Sequence, residues 1–480
     1  MLQYEYCGIP FMFGVVEMAS YFKCKLNKSV LSYKCGETIR FEVSAYEKCK
    51  NIDCEYIRWE LKTDDGKALK GIGSCTVSEP LVIETTLEKP GFAYLICTAY
   101  NSGNGAISGF DKLEAGAGVE VEKIKYHDTL PEDFYDYWAT LEKLIADTPI
   151  EVLLFEEINN TKKGFKAYDV RIKTPEGRPS AFILTAPEKD GKYPLRLGFM
   201  GYGVAQVTPD YNADTITAVF NAHGIETRLS SIELAQKYPE LSPYGFSGEE
   251  NNSNMTTYFR GMAIRNLMGL KFLKTLDNWD GKNIVAAGGS QGALQATTVA
   301  AHDSDITFLD ISIPWLCDLG AGREGFMTGW RPGFNEGLRY FDTVTQAMLL
   351  KCPVKVFAGL GDYICPPSGV MALYNEIKTL KTITFCQAKT HGYNPNEVEE
   401  YTLNHNPDNT PVEFKVGRYR HFKGNEYEVL DVAYDCETEE KVVVYKALYG
   451  DKKVWVRPLC EFCDFVYRDN KVMKRFEFIG

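Results

Sequence analysis

The sequence predicts a layered α/β domain that lies between two β-rich modules. Short strands with alternating apolar and polar residues fill residues 1–122. Apolar runs alternate with helical stretches over residues 123–405, and a second β-rich, aromatic segment occupies residues 412–480. The length of 480 residues is consistent with this division, since domains usually contain roughly 100–200 residues.

Composition and charge place the chain among globular proteins. It is 45% hydrophobic and 13% aromatic, which excludes a chain that is disordered throughout. The net charge of −12 argues against nucleic-acid binding, because phosphate contacts require an excess of Lys and Arg. No apolar stretch approaches the roughly 18 residues of a membrane span, and the N-terminus lacks the pattern of a secretory signal. We therefore expect a cytoplasmic protein with no nucleic-acid or membrane partner.

The N-terminal module is predicted to be an immunoglobulin-like β-sandwich. Residues 38–45, 55–62 and 91–98 alternate apolar with polar side chains and are separated by turn-forming residues. The glycine-rich segment 103–118 contains Gly116-Ala117-Gly118, but nothing after it completes a G-x-G-x-x-G nucleotide loop. We expect hairpin turns there, near the end of the module.

The middle region is predicted to be a sheet of parallel strands covered by helices. A helix is expected to open at Thr129, with Thr129 as its cap and Pro131 in its first turn. Residues 258–275 repeat apolar side chains every three or four positions, as an amphipathic helix does. Seven short runs are apolar on both faces, which is typical of buried parallel strands. They span residues 181–186, 195–201, 216–220, 284–288, 306–313, 354–360 and 383–386.

The polar residues 404–410 predict a linker to the C-terminal module, which is expected to be a small SH3-like barrel. Residues 417–424 and 444–450 resemble a short bacterial domain of unknown function. Its aromatic residues either line a ligand groove or form its core. Cys460 and Cys463 form a single C-x-x-C pair, for which zinc or redox chemistry is weighed against plain packing at a strand end.

The sharpest chemical signal is the G-x-S-x-G motif Gly288-Gly289-Ser290-Gln291-Gly292. A buried strand enters it and a helix over residues 293–302 leaves it, which is the setting of a nucleophile elbow. Such a turn strains the serine backbone and exposes its hydroxyl at the edge of the sheet, beside a helix N-terminus. The alternative is a serine that only caps a helix. In this setting we interpret Ser290 as a nucleophile.

A nucleophilic serine requires a base, and His391 is the predicted one. It lies in a loop after the last apolar run, which is where the histidine of such a fold belongs. His302 lies about 18 Å down the helix that follows Ser290, at 1.5 Å per residue, and so points elsewhere. His405, in the expected linker, is the weaker alternative.

The acid that orients the base is predicted to be Asp362, which directly follows the apolar run 354–360. Asp310 and Asp318 compete with it, but both lie earlier, after the strand that follows the nucleophile helix. The oxyanion that forms in catalysis needs backbone donors. We expect these from Gln291, the residue after the nucleophile, and from Tyr202, which lies between two glycines after an early strand.

These motifs resemble the acetyl xylan esterase and cephalosporin C deacetylase family of α/β-hydrolases, carbohydrate esterase family seven. The similarity runs from about residue 130 to residue 391 and follows the family's order. It rests on Pro131-Glu132-Asp133-Phe134, Tyr258-Phe259-Arg260-Gly261, Trp279-Asp280-Gly281, Ile313-Pro314-Trp315-Leu316-Cys317-Asp318 and Gly359-Leu360-Gly361-Asp362. The resemblance implies an α/β-hydrolase fold that deacetylates small acetylated carbohydrates, including xylo-oligosaccharides, without metal or cofactor.

The resemblance also implies roles for single residues. The predicted triad and oxyanion residues fall on the family's own positions. Trp315, with Pro314 beside it, falls on the wall of the acyl pocket. A large ring there favours acetyl over longer acyl groups, because additional methylenes would collide with it.

Four residues depart from the family's pattern. Met200 stands where a histidine is usual and Ala293 where a glycine is commoner, and both bear on the identity of the substrate. Arg265 and Met268 replace an Asp and an Arg of the central helix, so we expect altered subunit packing, and a homo-oligomer stays open.

The sequence therefore supports a serine carboxylesterase that removes acetyl groups from carbohydrates. A non-catalytic carbohydrate-binding or scaffold protein is the alternative of another class. A peptidase or thioesterase would use the same elbow, because this fold does not fix the substrate.

Overall fold

The computed structural model describes nine stretches of the chain. They are residues 20–101, 105–159, 162–392, 400–405, 415–434, 436, 441–463, 465–468 and 471–480. None of the described helices combines the length and apolar character that a membrane crossing requires.

The N-terminal strands form two facing sheets around one apolar core, as predicted. They are β1 (Ser20–Leu26), β2 (Ile39–Glu47), β3 (Lys50–Ile52), β4 (Cys54–Thr63), β5 (Ala68–Cys75), β6 (Leu81–Thr85), β7 (Gly91–Ala99), β8 (Phe110–Asp111) and β9 (Leu113–Val119). One sheet has the order β3-β2-β1-β8, with β6 also paired to β2, and the other has the order β5-β4-β7-β9. Alternate residues of β2 are buried, which explains its alternating sequence.

The prediction of hairpin turns over residues 103–118 is confirmed in part, because Tyr100 and Ala106 form an antiparallel bridge and a turn lies at Ser108-Gly109. It is wrong for Gly116-Ala117-Gly118, because these residues lie within β9 and are buried. They pair with Tyr94, Ala93 and Phe92 of β7. A Cβ atom at Gly116 would lie 2.5 Å from the carbonyl oxygen of Leu360. The small residues therefore reflect a close approach of the following domain rather than a turn. Residues 102–104 lie outside the described part of the chain.

The middle domain is a ten-stranded sheet with helices on its faces. Its strands are β10 (Val152–Glu157), β11 (Phe165–Ile172), β12 (Ser180–Pro187), β13 (Tyr193–Phe199), β14 (Ile216–Asn221), β15 (Trp279–Gly289), β16 (Phe308–Ser312), β17 (Val354–Gly359), β18 (Lys381–Cys386) and β19 (Glu400–His405). Its helices are α1 (Phe134–Asp147), α2 (Ser231–Lys237), α3 (Tyr258–Leu273), α4 (Gln291–His302), α5 (Thr343–Ala347) and α6 (Pro367–Glu376).

The strand order is β10-β11-β12-β14-β13-β15-β16-β17-β18-β19. Strands β14 to β18 in this order run parallel, and β15 lies near their middle. The expectation of a parallel strand at 181–186 is wrong, because β12 pairs antiparallel with both of its neighbours. Its residues are nearly all buried, and burial on both faces produces the same apolar run in either direction.

Helix α1 begins later than predicted. It starts at Phe134 after Asp133, and the N–H of Phe134 donates to Pro131 in a turn that precedes the helix. Thr129 is not the cap, because its carbonyl and hydroxyl oxygens accept hydrogen bonds from Arg339 at 2.9 and 3.2 Å.

The C-terminal module is a small antiparallel β unit. It contains β20 (Gly417–His421), β21 (Glu426–Tyr434), β22 (Lys441–Ala447), β23 (Val454–Pro458), helix α7 (Leu459–Phe462), β24 (Phe465–Arg468), β25 (Lys471–Lys474) and β26 (Phe476–Phe478). The main sheet has the order β23-β22-β21-β20-β26. Its core contains five aromatic residues, Tyr419, Tyr427, Tyr445, Phe462 and Phe476. These five aromatic residues fill the interior of the module, whereas Tyr434, Tyr449, Trp455 and Phe478 are exposed.

Two expectations for this end of the chain fall partly outside the described residues. The side chain of Cys460 is among those not described, so zinc or redox chemistry at Cys460 and Cys463 stays a prediction. Most of the expected linker, residues 406–410, is also outside. Its first two positions close β19 instead. The architecture as a whole is an α/β-hydrolase fold between a β-sandwich and a small β module.

Candidate active site

Ser290 lies in a sharp turn between β15 and α4. Its backbone angles, φ 55° and ψ −123°, are strained for a residue with a side chain. The turn is fixed by a hydrogen bond from the Ser290 N–H to the carbonyl of Ser312 at 3.0 Å. The Ser290 carbonyl in turn accepts from the N–H of Trp315 at 3.2 Å. The side chain projects from the carboxyl end of a central strand, as an elbow requires.

Two glycines make this turn sterically feasible. A Cβ atom at Gly288 would overlap the carbonyl oxygen of Gly292. A Cβ atom at Gly292 would overlap the carbonyl oxygen of Phe199, at the end of β13. The motif therefore lets helix α4 pack directly against β15 and the loop after β13.

Asp362 and His391 meet at the same edge of the sheet, after β17 and β18. The Nδ1 atom of His391 faces the two carboxylate oxygens of Asp362 at 3.2 and 3.0 Å. A carboxylate only accepts, so the imidazole donates from Nδ1 and leaves Nε2 as an acceptor. Asp362 is fully buried, and the His391 side chain is 25% exposed.

Cys365 lies between this pair and the serine. Its sulfur, an Asp362 oxygen and a His391 nitrogen all lie within 4.8 Å of one another. The Ser290 side chain is close enough to Cys365 to lower the pKa of its thiol, against the larger effect of burial. The structure therefore brings Asp362 and His391 together with a cysteine that the sequence pattern did not indicate, and Ser290 neighbours that cysteine.

The same three side chains, Asp362, Cys365 and His391, are close enough to hold a metal ion. Burial, with a smaller contribution from the charge of Asp362, raises the pKa of the Cys365 thiol well above its ordinary value. A protonated thiol is a poor metal ligand. The hydrogen bond from His391 to Asp362 is the arrangement that proton transfer through the histidine requires.

The competing histidines are engaged elsewhere or lie far from the cluster. His302 contacts Glu142 and Gln346, each at 2.8 Å, and stacks on Trp138. The backbone of His405 pairs with Lys381 at the opposite end of β18 from the His391 loop, and its side chain is outside the described part.

The competing acids do not approach His391. Asp310 lies within β16, with its carboxylate 3.9 Å from Arg196. Asp318 contacts the Nδ1 atom of His127 at 2.6 Å, which makes a second Asp–His pair. Burial lowers the pKa of His127, but the hydrogen bond and charge of Asp318 outweigh burial and raise it overall. The sequence order Ser, Asp, His excludes this pair, because His127 precedes the serine.

The loop after β13 packs directly on the elbow. The ring of Tyr202 stacks on that of Tyr244 at 4.3 Å. The hydroxyl of Tyr244 accepts from the N–H of Gly203 at 3.3 Å and donates to the side chain of Gln291 at 2.5 Å. Tyr244 therefore holds together the two expected oxyanion residues. The Gln291 N–H lies in the first turn of α4, where N–H groups have no partner within the helix.

Trp315 and Pro314 are both buried beside the elbow, in the loop after β16. Three residues of this loop that are not glycines have positive φ: Ile313 at 42°, Leu316 at 58° and Asp318 at 58°. Such a concentration of strained residues is common at functional sites, where the surrounding structure must enforce it.

A buried network enforces this loop. The carboxylate of Asp342 accepts from the N–H groups of Asp318 and Leu319 at 2.9 and 2.7 Å. The hydroxyl of Thr343 donates to the carbonyl of Trp315 at 2.6 Å. Burial and the nearby charge of Asp318 raise the pKa of Asp342 to about 7.

The four departures from the family's pattern have distinct surroundings. The carbonyl of Met200 accepts from Gln295 at 2.9 Å, and Ala293 is fully buried behind the elbow. Arg265 donates twice to the carbonyl of Ala222, and Met268 is fully buried. The expectation that Arg265 and Met268 act on subunit packing is not supported, because both lie in the core of their own chain.

The β-sandwich contacts the loops that carry Asp362 and His391. The hydroxyl of Tyr94 in β7 donates to the carbonyl of Gly361 at 2.8 Å. The side chain of Gln387 makes two hydrogen bonds with the backbone of Gly116 in β9, at 3.0 and 2.8 Å. The two loops are themselves joined, since the Gly361 N–H donates to Lys389 at 3.1 Å.

Comparison with known proteins agrees with this geometry. The model of the acetyl xylan esterase family matches residues 118–321 and 334–408, more than half of the chain. The model of a family described as a protein of unknown function matches residues 417–478.

The chain is also similar to individual proteins. The chain is 26% identical to the acetyl esterase Axe7A of Xylanibacter ruminicola over 373 residues, which are 73% of this chain and 82% of that protein. An acetyl xylan esterase from Paenibacillus sp. R4 superposes with a TM-score of 0.49 and 19% identity, covering 57% of this chain and 94% of that chain. A Bordetella bronchiseptica protein of the second family is 36% identical, with a TM-score of 0.14, and covers 14% of this chain and 90% of that chain.

Proposed function

The chain belongs to the acetyl xylan esterase family and is a carboxylic ester hydrolase, and we propose that it deacetylates carbohydrates through a covalent acetyl-serine intermediate. The observation that carries this proposal is the strained Ser290 elbow, whose serine neighbours Cys365 in the Asp362–His391 cluster. Ser290, Asp362 and His391 come from three different loops at the carboxyl edge of the parallel strands, and Cys365 shares the loop of Asp362.

In the first half of the reaction, the hydroxyl oxygen of Ser290 attacks the carbonyl carbon of the acetyl ester. His391 accepts the hydroxyl proton at Nε2, and Asp362 holds the imidazole in the required tautomer and stabilises its charged form. When the tetrahedral intermediate collapses, the bond to the sugar oxygen breaks. His391 then gives its proton to the departing sugar alcohol, which leaves acetyl-Ser290.

In the second half, water takes the place of the sugar. It attacks the acetyl-Ser290 carbonyl while His391 accepts one of its protons, and acetate leaves as the proton returns to Ser290. The N–H groups of Gln291 and Tyr202 are the proposed donors to the oxyanion in both halves. Loss of one such donor typically costs about 2.7–4 kcal/mol of transition-state stabilisation.

The proposed acyl pocket is small. Trp315 is only 1% exposed, and its backbone N–H donates to the carbonyl of Ser290. Its indole ring centroid lies 6.2 Å from that of Tyr202, an expected oxyanion residue, and we propose that the indole leaves room for a methyl group and opposes longer chains. Acetylated xylo-oligosaccharides are the proposed substrates, because the matching family is described as acetyl xylan esterase and the curated relative is an acetyl esterase.

A non-catalytic sugar-binding protein is a weaker proposal, because it would have no need for a strained serine. A peptidase or thioesterase would use the same elbow and cluster. Acyl-length preference and leaving group separate these activities from the proposed one.

The test is acetate release by the purified chain and by Ser290→Ala. The substrates are acetylated xylo-oligosaccharides and the nitrophenyl esters of acetate, butyrate and octanoate. We expect Ser290→Ala to lower kcat by roughly 10⁴-fold or more, since removing a triad member leaves only binding and the oxyanion site. In the unsubstituted chain, kcat/KM should fall steeply with acyl length.

Ser304→Ala is the matched control, because Ser304 is exposed in a turn after α4. It should hydrolyse every substrate as the unsubstituted chain does. Equal acetate release by the Ser290→Ala and Ser304→Ala proteins would exclude Ser290 as the nucleophile. A preference for octanoate over acetate would contradict the small acyl pocket.

A further inference from the structure

Residues 322–333 lie between the two ranges that match the family model. This segment of twelve residues is not matched by the family model, and it sits beside the proposed active site. We name it the site insertion. Because of this position, the site insertion is a candidate for a segment that determines substrate specificity.

The site insertion is held tightly against the acid loop. The N–H of Trp330 donates to the carbonyl of Ile364 at 3.1 Å. Gly329 has φ 67°, and a Cβ atom there would overlap the same carbonyl oxygen. On the other side, the indole N–H of Trp315 donates to the carbonyl of Trp330 at 2.6 Å. The backbone of Trp330 thus bridges the acid loop and the acyl wall.

The indole of Trp330 lies among the aromatic rings of the site. Its ring centroid is 4.7 Å from that of Tyr202, 4.8 Å from that of Phe246 and 6.0 Å from that of Trp315. Trp315 is buried, whereas Trp330 is 39% exposed. Trp330 is therefore the solvent-exposed ring of a packed aromatic cluster, and it lies next to Tyr202, the expected oxyanion residue.

We propose that Trp330 is the residue of the site insertion that binds the sugar ring of the leaving group. This inference rests on the proposed function. The apolar C–H face of a pyranose ring packs well on an indole face, and the indole is already immobilised by its neighbours. Trp330 contributes to substrate affinity and selects carbohydrate esters over esters of small alcohols.

The kinetic test compares two esters that share the acetyl group. Acetylated xylo-oligosaccharides carry a pyranose leaving group, and ethyl acetate carries none. Trp330→Ala should raise KM for the oligosaccharides about tenfold, because it removes the stacking surface and keeps the backbone hydrogen bonds. The kcat for the oligosaccharides and the kcat/KM for ethyl acetate should stay within about twofold. Trp330→Phe should restore part of the affinity.

A binding measurement separates this inference from the esterase proposal. Unacetylated xylo-oligosaccharide is titrated calorimetrically into the Ser290→Ala protein, with and without Trp330→Ala. The sugar should bind about tenfold more weakly when the indole is absent, whether or not the chain releases acetate. Trp455→Ala is the matched control, since Trp455 in the C-terminal module is 51% exposed and remote in the fold.

Two outcomes would overturn the inference. A Trp330→Ala protein that loses the same factor on ethyl acetate as on the sugar esters would show that the ring only supports the oxyanion loop. Absence of sugar binding to the Ser290→Ala protein, or binding that Trp330→Ala leaves unchanged, would show that the ring is not a sugar site.

Discussion

Asp362 is oriented by its own loop before it meets the histidine. One of its carboxylate oxygens accepts from the N–H groups of Ile364 and Cys365 at 2.9 and 2.8 Å. The two hydrogen bonds fix the Asp362 carboxylate in a position from which it can hold His391. This arrangement makes the role of the charge testable without moving the loop.

We expect Asp362→Asn to lower kcat by roughly 10⁴-fold while the chain stays folded. The amide oxygen can still accept from the loop, but the amide N–H₂ would favour the wrong imidazole tautomer. Steady-state kinetics with circular dichroism measures both effects. Asp310→Asn is the matched control, because that acid lies on the neighbouring strand and is 3.9 Å from Arg196. If Asp310→Asn and Asp362→Asn lost activity equally, the assignment of the acid would be refuted.

At this scale the motif residues could be predicted, and their neighbours could not. Ser290 and Asp362 were recognisable because each directly follows a buried strand and their order along the chain is that of the fold. Cys365 escaped detection because its contact with Ser290 depends on how the acid loop turns after Asp362. Tyr244 escaped for the same reason, since it lies in a loop far from the residues that it connects.

The loop after β16 is the element in which local strain and function coincide. Its positive φ angles are maintained by Asp342 and Thr343, at the start of α5. The strain places a buried indole, Trp315, against the back of the elbow. The loop is therefore where acyl-chain length should be decided.

We expect Trp315→Phe to raise kcat/KM for butyrate relative to acetate by roughly tenfold, because two added methylenes would find room that the indole occupied. The nitrophenyl ester series measures this ratio. Trp138→Phe controls for the loss of a buried indole, since Trp138 stacks on His302 away from the cluster. An unchanged ratio in Trp315→Phe would remove this residue from the acyl wall.

Elements were predictable where one physical cause determined the pattern. The buried parallel strands and helix α3 read clearly because burial alone decides their sequence. Strand β10 could not be read, since it is largely exposed and lacks alternation. Strand β9 was misread because Gly116 serves a contact with another domain, which no local pattern contains.

The whole molecule is joined at a second place besides the catalytic loops. Asp64 of the sandwich is fully buried and accepts from the N–H of Phe92 at 2.8 Å and from that of Met327, in the site insertion, at 2.9 Å. Burial is the main cause that raises the pKa of Asp64 to about 6, against hydrogen bonds that lower it. The junction therefore responds to pH.

The raised pKa of Asp64 determines whether its contribution to stability rises or falls with pH. Between about pH 4 and pH 6, Asp64 is protonated in the folded chain and charged in the unfolded chain, so its contribution to stability is lost as pH rises. The unfolding free energy of the unsubstituted chain, minus that of Asp64→Asn, should fall by about 3 kcal/mol from about pH 4 to pH 7. Urea denaturation across this range measures it.

Asp65→Asn is the control, because its difference in unfolding free energy should change with pH in the opposite direction. Burial raises the pKa of Asp65, but its hydrogen bonds outweigh burial and lower the pKa overall. The corresponding difference for Asp65→Asn should therefore rise with pH. A difference for Asp64→Asn that is flat or rising would contradict the buried charge at the junction.

The arrangement of modules was predictable at this largest scale, but their cooperation was not. Composition shifts predicted a sandwich, an α/β domain and a small β unit, and we propose that these units meet near residues 122 and 405. Nothing in the sequence indicated that Tyr94 and Gln387 join the sandwich to the catalytic loops. A contact between two segments that are distant in sequence produces no periodic pattern in the sequence of either segment.

The loops of Asp362 and His391 contact β7 and β9, and this contact bears on the order in which the domains fold. During translation the sandwich leaves the ribosome before Asp362 and His391 are made, and N-terminal domains generally fold first. The last loops of the α/β domain then close against a surface that already exists. We therefore expect the sandwich to provide the surface on which the Asp362 and His391 loops are assembled, and activity to begin only when the His391 loop has docked.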